Sequence, residues 1–394
     1  MSKHVSLFMP SESSFHRRIF GFLARAFQKQ GWQVTGQCKL LPENEMCAWV
    51  RDNKPDVVFE MNRVKNEIPV LDEMNVMHIS WLVDMGGRSE SQIKGSEITY
   101  FIDPGWEFSF NTGGYTAWMP PGTCTQTFFP GTQSKTDTVE FSFIGHIPKP
   151  WSRQELNRVL SGKSNSITFE SLLNEYTQYM EINTYFGQTH ESCVKIIDNI
   201  AEKLLGEPVQ LAQDIYYDLL IRTKRISNRV ELLDFAVRNS SLINIYGTEN
   251  WLEWSKFSRF YKGFVEKESE INRIHQCSQF NMHDGISFHF RSIDCMASGA
   301  LLLWYNTNDG DKFNIYKDKI SSNGPGKILG LSNFFEYQYH YYEFTWLTFN
   351  EVYEKAKSSG YLGSKAQADT IKLINDKHTW DCRVKRIIED INSL

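Results

Sequence analysis

Several signals that place a chain quickly are missing from this one. Across its 394 residues no stretch approaches the ~18–20 consecutive apolar positions of a membrane-spanning helix, so an integral membrane protein is not expected. The amino terminus, MSKHVSLFMPSESSFHRRIF, has only the short apolar burst VSLFM, too little for a secretion signal. No basic block occurs: 42 Lys and Arg stand against 47 Asp and Glu, for a net charge of −5. Nucleic-acid partners leave a basic footprint and are set aside. The seven cysteines, Cys38, Cys47, Cys124, Cys193, Cys277, Cys295 and Cys382, form no CxxC pair. An odd, scattered set fits reduced thiols and a cytoplasmic location, with a peripheral membrane contact left open. There is no HExxH and no Cys/His cluster, so no metal is expected. No G-x-G-x-x-G or Walker loop follows the first strand, which disfavours the classical dinucleotide and ATP folds. Internal repeats and low-complexity tracts are absent.

What is abundant is aromatic: 27 Phe, 17 Tyr and 11 Trp make 14% of the chain, material for large cores and for stacking or sugar-facing surfaces. The length suggests two domains. HVSLFM, WQVTGQ, PDVVFEMN, VMHISWLVD, EITYFIDPG and YTAWMPPG read as strands. Between them SSFHRRIFGFLARAFQKQG, capped at Ser13 or Ser14 and stopped at Gly31, ENEMCAWVRDNK and IPVLDEMN read as helices. Such alternation argues for a parallel sheet covered on both faces. A second series starts at VEFSFIG, with helix from about Ser152 and a mostly helical stretch over 165–240. LINIYG, QFNMH and ALLLWY follow as strands, with the helices KESEINRIHQCS and FRSIDCMASG between them and a helical tail after them. The expectation is α/β, two Rossmann-like halves meeting near residues 135–140 across a central cleft. A ligand then lies at the carboxyl ends of the strands.

In order, KPDVVFEMN, ISWLVDM, FFP, FSFIG, INIYG, YKGFV, FRSIDCMASGALLLWY and KHTWDCR run through nearly the whole chain. This set resembles the CgeB-like (spore maturation protein type) glycosyltransferases of the GT-B group. The segment 165–230 matches that pattern least. The resemblance implies an acceptor domain over 1–137 and a nucleotide-sugar-binding domain over 138–377 with a helical segment near 165–235. A final helix at about 378–394 crosses back to the first domain. It implies transfer of a sugar from a nucleotide-sugar donor to a hydroxyl of a glycan, lipid-linked glycan or protein, as in polysaccharide biosynthesis, with retention of configuration and without a metal or other cofactor. The alternatives are a GT-B epimerase or phosphorylase, the latter needing a pyridoxal-phosphate lysine, and a non-catalytic nucleotide- or sugar-binding module.

Glycosyl transfer leaves growing negative charge on the departing phosphate, and a helix amino end offers free N–H groups and positive dipole. In NMHDGISFHFRSIDCMASG the loop Gly285–Ser287 feeds a helix expected over 288–298, and Gly285 lets backbone approach a ligand closely. Arg291 supplies a guanidinium suited to phosphate. His283 and His289 are hydrogen-bonding candidates, His289 also catalytic. Asp294 falls where relatives place a ribose-binding glutamate, while the first acidic position of their E-x7-E pattern falls on Ile286. The plain alternative for Arg291 and Asp294 is an i,i+3 ion pair on a solvated face. Gly145, His146, Lys149 and Arg153 follow the first strand of the second half as further phosphate candidates. Tyr246, Gly247 and Lys262 are expected near the nucleotide base, Tyr246 stacking or merely packing. In the first half Asp84, at a strand's carboxyl end before Gly86 and Gly87, is the candidate general base; Asp103, in an Asp-Pro-Gly turn, and His16 stand behind it.

Overall fold

The structure, a computed structural model, describes residues 3–84, 88, 90–131, 139–182, 190–307 and 330–394. Gly86 and Gly87 lie outside the described residues. Six strands, β1 (His4–Phe8), β2 (Gln33–Gln37), β3 (Val57–Met61), β4 (Met77–Leu82), β5 (Ile98–Phe101) and β6 (Tyr115–Trp118), form one sheet in the order β2-β1-β3-β4-β5-β6. All its pairings are parallel. Helices cover both faces of such a sheet, so its inner strands bury every side chain: β1, β3 and β5 expose none of theirs. The helix Ser14–Lys29 begins where Ser13 accepts the His16 amide, and its apolar stripe Ile19, Phe22, Leu23, Ala26 and Phe27 faces the sheet.

The second sheet contains β7 (Val139–Ile144), β10 (Ile243–Tyr246), β11 (Ser278–Asp284), β12 (Leu302–Tyr305) and β13 (Tyr342–Phe344) in the order β10-β7-β11-β12-β13, again parallel throughout. Between β7 and β10 the chain builds a helical body with a core of its own, including Phe169, Leu172, Tyr176, Ile197, Ala201 and Leu219. The described residues of 165–240 are mostly helical, as expected, while the expected helix from about Ser152 is cut short. The helix at Ser152 is one turn, Arg153–Leu156, and a hairpin, β8 (Val159–Ser161) with β9 (Ser166–Thr168), precedes the longer helices. The body feeds through a π-helical turn, Asp218–Thr223, directly into the helix Lys224–Asn239. Arg222 in that turn lies 3.7 Å from the centre of the Trp151 ring and pairs with Glu155 at 2.6 Å, tying the turn to the start of the body.

The bridge at Thr123 and the last helix join the halves. Thr123 and Thr379 form a parallel bridge, with Thr123 N–H donating to the His378 carbonyl and Trp380 N–H to the Thr123 carbonyl. From there the helix Trp380–Ser393 returns to the first sheet and places Trp380, Val384, Ile387 and Ile391 in the same core as Val5, Leu7 and Trp81. Four buried side chains of this size contribute roughly 6–12 kcal/mol before chain entropy is counted. Arg383 donates to the carbonyls of Pro120 and Pro121, and Tyr100 to Asp390 at 2.6 Å, fixing the returning helix in register.

Candidate functional site

β7 and β11 are neighbours and end at the same edge, Met282 lying opposite Phe143. The residues that leave this edge converge with one face of the helix Lys224–Asn239. Arg225 and Arg229, four apart, share that face. Arg229 Nε donates to Asp284 Oδ2 at 3.1 Å, with both side chains almost out of water at 7% and 6% exposure. Arg225 Nη1 donates to His146 Nε2 at 3.0 Å. Arg291 donates to the carbonyl of Ile144. Arg229 and Arg291 lie 5.7 and 6.0 Å from the centre of the same Phe143 ring.

Three guanidiniums and one carboxylate thus gather around His146. Like charges this close repel, and the protonation behaviour shows it. Burial, then Arg229, pushes Arg291 down to about 10. Desolvation and the three arginines hold His146 down at about 4, so its ring is neutral at pH 7. Burial alone would raise the Asp284 carboxyl, but Arg229 and Arg291 outweigh it and hold it below its usual value. The buried Nη1 of Arg229 and Oδ1 of Asp284 have no hydrogen-bond partner among the described residues. Two unbalanced positive charges and an unused guanidinium nitrogen suit a dianionic ligand.

The helix of the Arg291 segment runs over Phe290–Ala297, two residues later than expected at its start, because His289 is its cap: Nδ1 accepts the Arg291 amide at 3.2 Å. The remaining ring nitrogen, Nε2, then carries the hydrogen. Burial and Arg291 keep this imidazole well below its ordinary pKa, so His289 is a neutral N–H donor rather than a proton acceptor at that atom. Ser292 Oγ donates back to the carbonyl of Ser287 at 2.6 Å, closing the loop onto the helix. Phe290 inserts into the first core, its ring 5.0 Å from Phe15 and 5.7 Å from Trp81. The amino ends of this helix and of Ser14–Lys29 therefore meet across the junction between the sheets.

No protein-family model matches the chain, and no curated protein matches it in sequence. Among solved structures, a glycosyltransferase from Rickettsia africae ESF-5 is similar with a TM-score of 0.53 at 9% identity, covering 98% of this chain and 97% of that one. A sucrose-phosphate synthase from Thermosynechococcus elongatus gives 0.49 at 6% identity, covering 99% and 98%. The chain has the GT-B fold.

Within that fold the expected residues divide. His146, Gly145 and Arg291 join the arginine cluster. Gly145 has no room for a side chain, since a Cβ there would stand 2.5 Å from Arg291 Nη1, and a Cβ on Gly247 would stand 2.1 Å from the Gly145 carbonyl oxygen. Gly247 is thus a packing requirement where β7 and β10 end. Gly285 is exposed in the left-handed region, φ 88°, and its carbonyl accepts Trp304 Nε1. Ser287 Oγ accepts the Leu331 amide, which ties the loop to the chain beyond β12. His283 donates Nε2–H to the Ile286 carbonyl at 3.1 Å and braces this turn from beneath, leaving its buried Nδ1 without a partner among the described residues.

Other candidates stand elsewhere. Lys149 pairs with Glu253 at 3.1 Å and Arg153 with Glu170 at 3.7 Å, in exposed ion pairs. Tyr246 turns back along β10, where Asn244 donates to its hydroxyl. It lines a pocket with Val139 and Ser278, the first residues of β7 and β11, at the opposite end of the sheet from the cluster. Lys262 lines a groove beside Ser241 and Leu242 at that same far end. The i,i+3 ion pair between Arg291 and Asp294 does not form. Asp294 is 6% exposed and accepts Thr123 Oγ1 at 2.7 Å, on the bridge between the halves. Burial pushes its carboxyl up to about 6.

In the first half, Asn62, itself left-handed at φ 62°, accepts the amides of Val83 and Asp84 and so fixes the loop bearing the exposed Asp84 carboxylate. His16 stands in the first turn of its helix, Nδ1 within 2.7 Å of Ser11 Oγ and 2.9 Å of Ser13 Oγ, and burial lowers its pKa. Asp103 precedes the helix Pro104–Ser109, its carbonyl accepting the Trp106 amide. Sequence reading missed Arg225 and Arg229. Their one signal was the i,i+4 spacing of arginines in KRISNRVELL, within the segment that matched the family pattern least.

Proposed function

We propose that the chain is a nucleotide-sugar-dependent glycosyltransferase of the CgeB-like type. The observation that supports it is the gathering of Arg225, Arg229 and Arg291 around His146 and Asp284 at the carboxyl edge of β7 and β11. A diphosphate has the charge to neutralise this cluster. His289 donates a neutral N–H, and the amides around Gly285 add uncharged donors. Charge developing on the leaving phosphate is met by fixed guanidiniums in a desolvated place, where such interactions are strongest. The cluster thereby does the work a divalent cation does in other transferases, and the proposal is metal-independent.

On the acceptor side a hydroxyl must lose a proton as the bond to the anomeric carbon forms. Asp84 carries a carboxylate at the mouth of the first sheet. His16 is a neutral imidazole whose Nδ1 is engaged by two serines; when Nδ1 donates to one of them, Nε2 is left to accept a proton. The acceptor is a glycan, lipid-linked glycan or protein hydroxyl, and retention of configuration is carried over from the family resemblance. The decisive experiment is a thermal-shift screen with UDP, GDP, CMP, ADP and dTDP sugars, followed by turnover with the sugar labelled. Stabilisation by one nucleotide class, lost in Arg291→Ala, is expected; binding that survives Arg225→Ala and Arg291→Ala together defeats the site. A donor bound but never consumed with any acceptor leaves only a binding module. The anomeric proton of the product reads the stereochemistry.

A further inference from the structure

The helix Lys224–Asn239 has a second polar flank. On the side away from Arg225 and Arg229 lies an open trough of about 540 Å3, within the ~300–1,000 Å3 of small-molecule sites. Glu231, Asp234 and Arg238 line it from the helix, and Trp254 and Trp346 from two loops. Trp346 is 55% exposed, so much of its indole surface is open to a ligand in the trough. Trp254 is anchored by Nε1–H to the Pro148 carbonyl at 3.0 Å. Tyr305 donates its hydroxyl to Glu231, and Lys256 pairs with Asp234 at 2.5 Å, so both carboxylates are held in place.

The charge here differs in kind from the arginine cluster. Two carboxylates, Arg238 and the neighbouring Lys256 balance, so the trough has no net attraction for an anion. An apolar ligand would strand the carboxylates and Arg238, while a small polar one would waste the indoles. A pyranose matches both: its C–H face packs on an indole, its hydroxyls donate to carboxylates and accept from a guanidinium. Tyr305 ends β12, and Trp346 follows the last residue of β13 by two positions, so the trough opens at the same sheet edge as Gly145 and Asp284.

We propose that this trough is a second carbohydrate subsite, which holds a neutral oligosaccharide on the flank of the helix Lys224–Asn239 opposite the arginine cluster. Taking that oligosaccharide as a part of an acceptor chain remote from its reacting end rests on the glycosyltransferase reading; binding itself does not. The test titrates the intact protein with neutral gluco-, galacto-, manno- and N-acetylglucosamine oligosaccharides, read by tryptophan fluorescence and saturation-transfer NMR. One series is expected to bind more tightly as it lengthens. Trp346→Ala and Glu231→Gln should each weaken it about tenfold or more, while thermal shifts with nucleotide sugars stay as in the parent. The proposal falls if no series binds, if both substitutions leave binding unchanged, or if nucleotide displaces the oligosaccharide. Oligosaccharide binding that responds to both substitutions in a protein that ignores every nucleotide upholds the trough and overturns only the donor reading.

Discussion

Replacing Asp294 by Asn should make the protein more stable, and the reason can be worked through. Burial raises this carboxyl to about 6, against about 3.9 in an unfolded chain. Two units of difference correspond to about 3 kcal/mol. The sign follows from proton counting. Between about pH 4 and pH 6 the folded chain binds more protons at this group than the unfolded chain does, so stability falls as pH rises through that window and levels off above it. Asn keeps an oxygen to accept the Thr123 hydroxyl and never ionises. Asp294→Asn should therefore exceed the parent by up to about 3 kcal/mol at pH 8 and match it near pH 4. Urea unfolding midpoints across pH 4–8 measure the difference. A variant less stable than its parent at pH 8, or a gap that does not change with pH, would refute the reasoning. A carboxylate kept at this cost in a hydrogen bond between two lobes calls for a functional reason, and donor affinity measured on the same variant supplies that part of the answer.

Four more expectations accompany it. Arg225→Gln should weaken nucleotide-diphosphate binding roughly 10–100-fold, the loss of a charge-assisted contact, and flatten its dependence on salt in calorimetric titrations. Gly247→Ala forces a Cβ to within 2.1 Å of the Gly145 oxygen at φ 153°. It should cost at least about 2 kcal/mol in unfolding experiments. His16→Ala and Asp84→Asn are expected to leave donor affinity near the parent value while turnover falls, by about 100-fold or more for whichever is the base; unchanged turnover in both removes the acceptor-side proposal. Lys149→Ala breaks only an exposed pair with Glu253. It should change neither donor affinity nor the melting temperature by a measurable amount.

Most strands of both sheets could be read from the chain because parallel strands are covered on both faces and are largely apolar. PDVVFEM and ALLLWY leave little else for them to be. The first and last helices were equally legible: each carries its apolar stripe at helical spacing behind a Ser or Thr cap, Ser13 and Thr379. What escaped was short or paired at a distance. β13 has three residues and β8–β9 three each, too few for a periodicity to show. Lys149 and Arg153 look like phosphate ligands in FIGHIPKPWSR until Glu253 and Glu170, 104 and 17 positions away, are seen to hold them.

The amino-acid order by itself determined the two parallel sheets, the helix that returns to the first of them, and the glycine-and-histidine turn leading to Arg291. These are local matters of apolar runs, caps and chain reversal. Only the tertiary structure decided which charges meet. Arg225 and Arg229 become partners of His146 and Asp284 because a π-helical turn and a helical body point their helix at the edge of β7 and β11. Asp294 faces Thr123 rather than Arg291 because the helix bearing it is clamped between lobes. Electrostatic energy depends on separation in space and on the water excluded, and neither quantity is written in the spacing of residues along a chain.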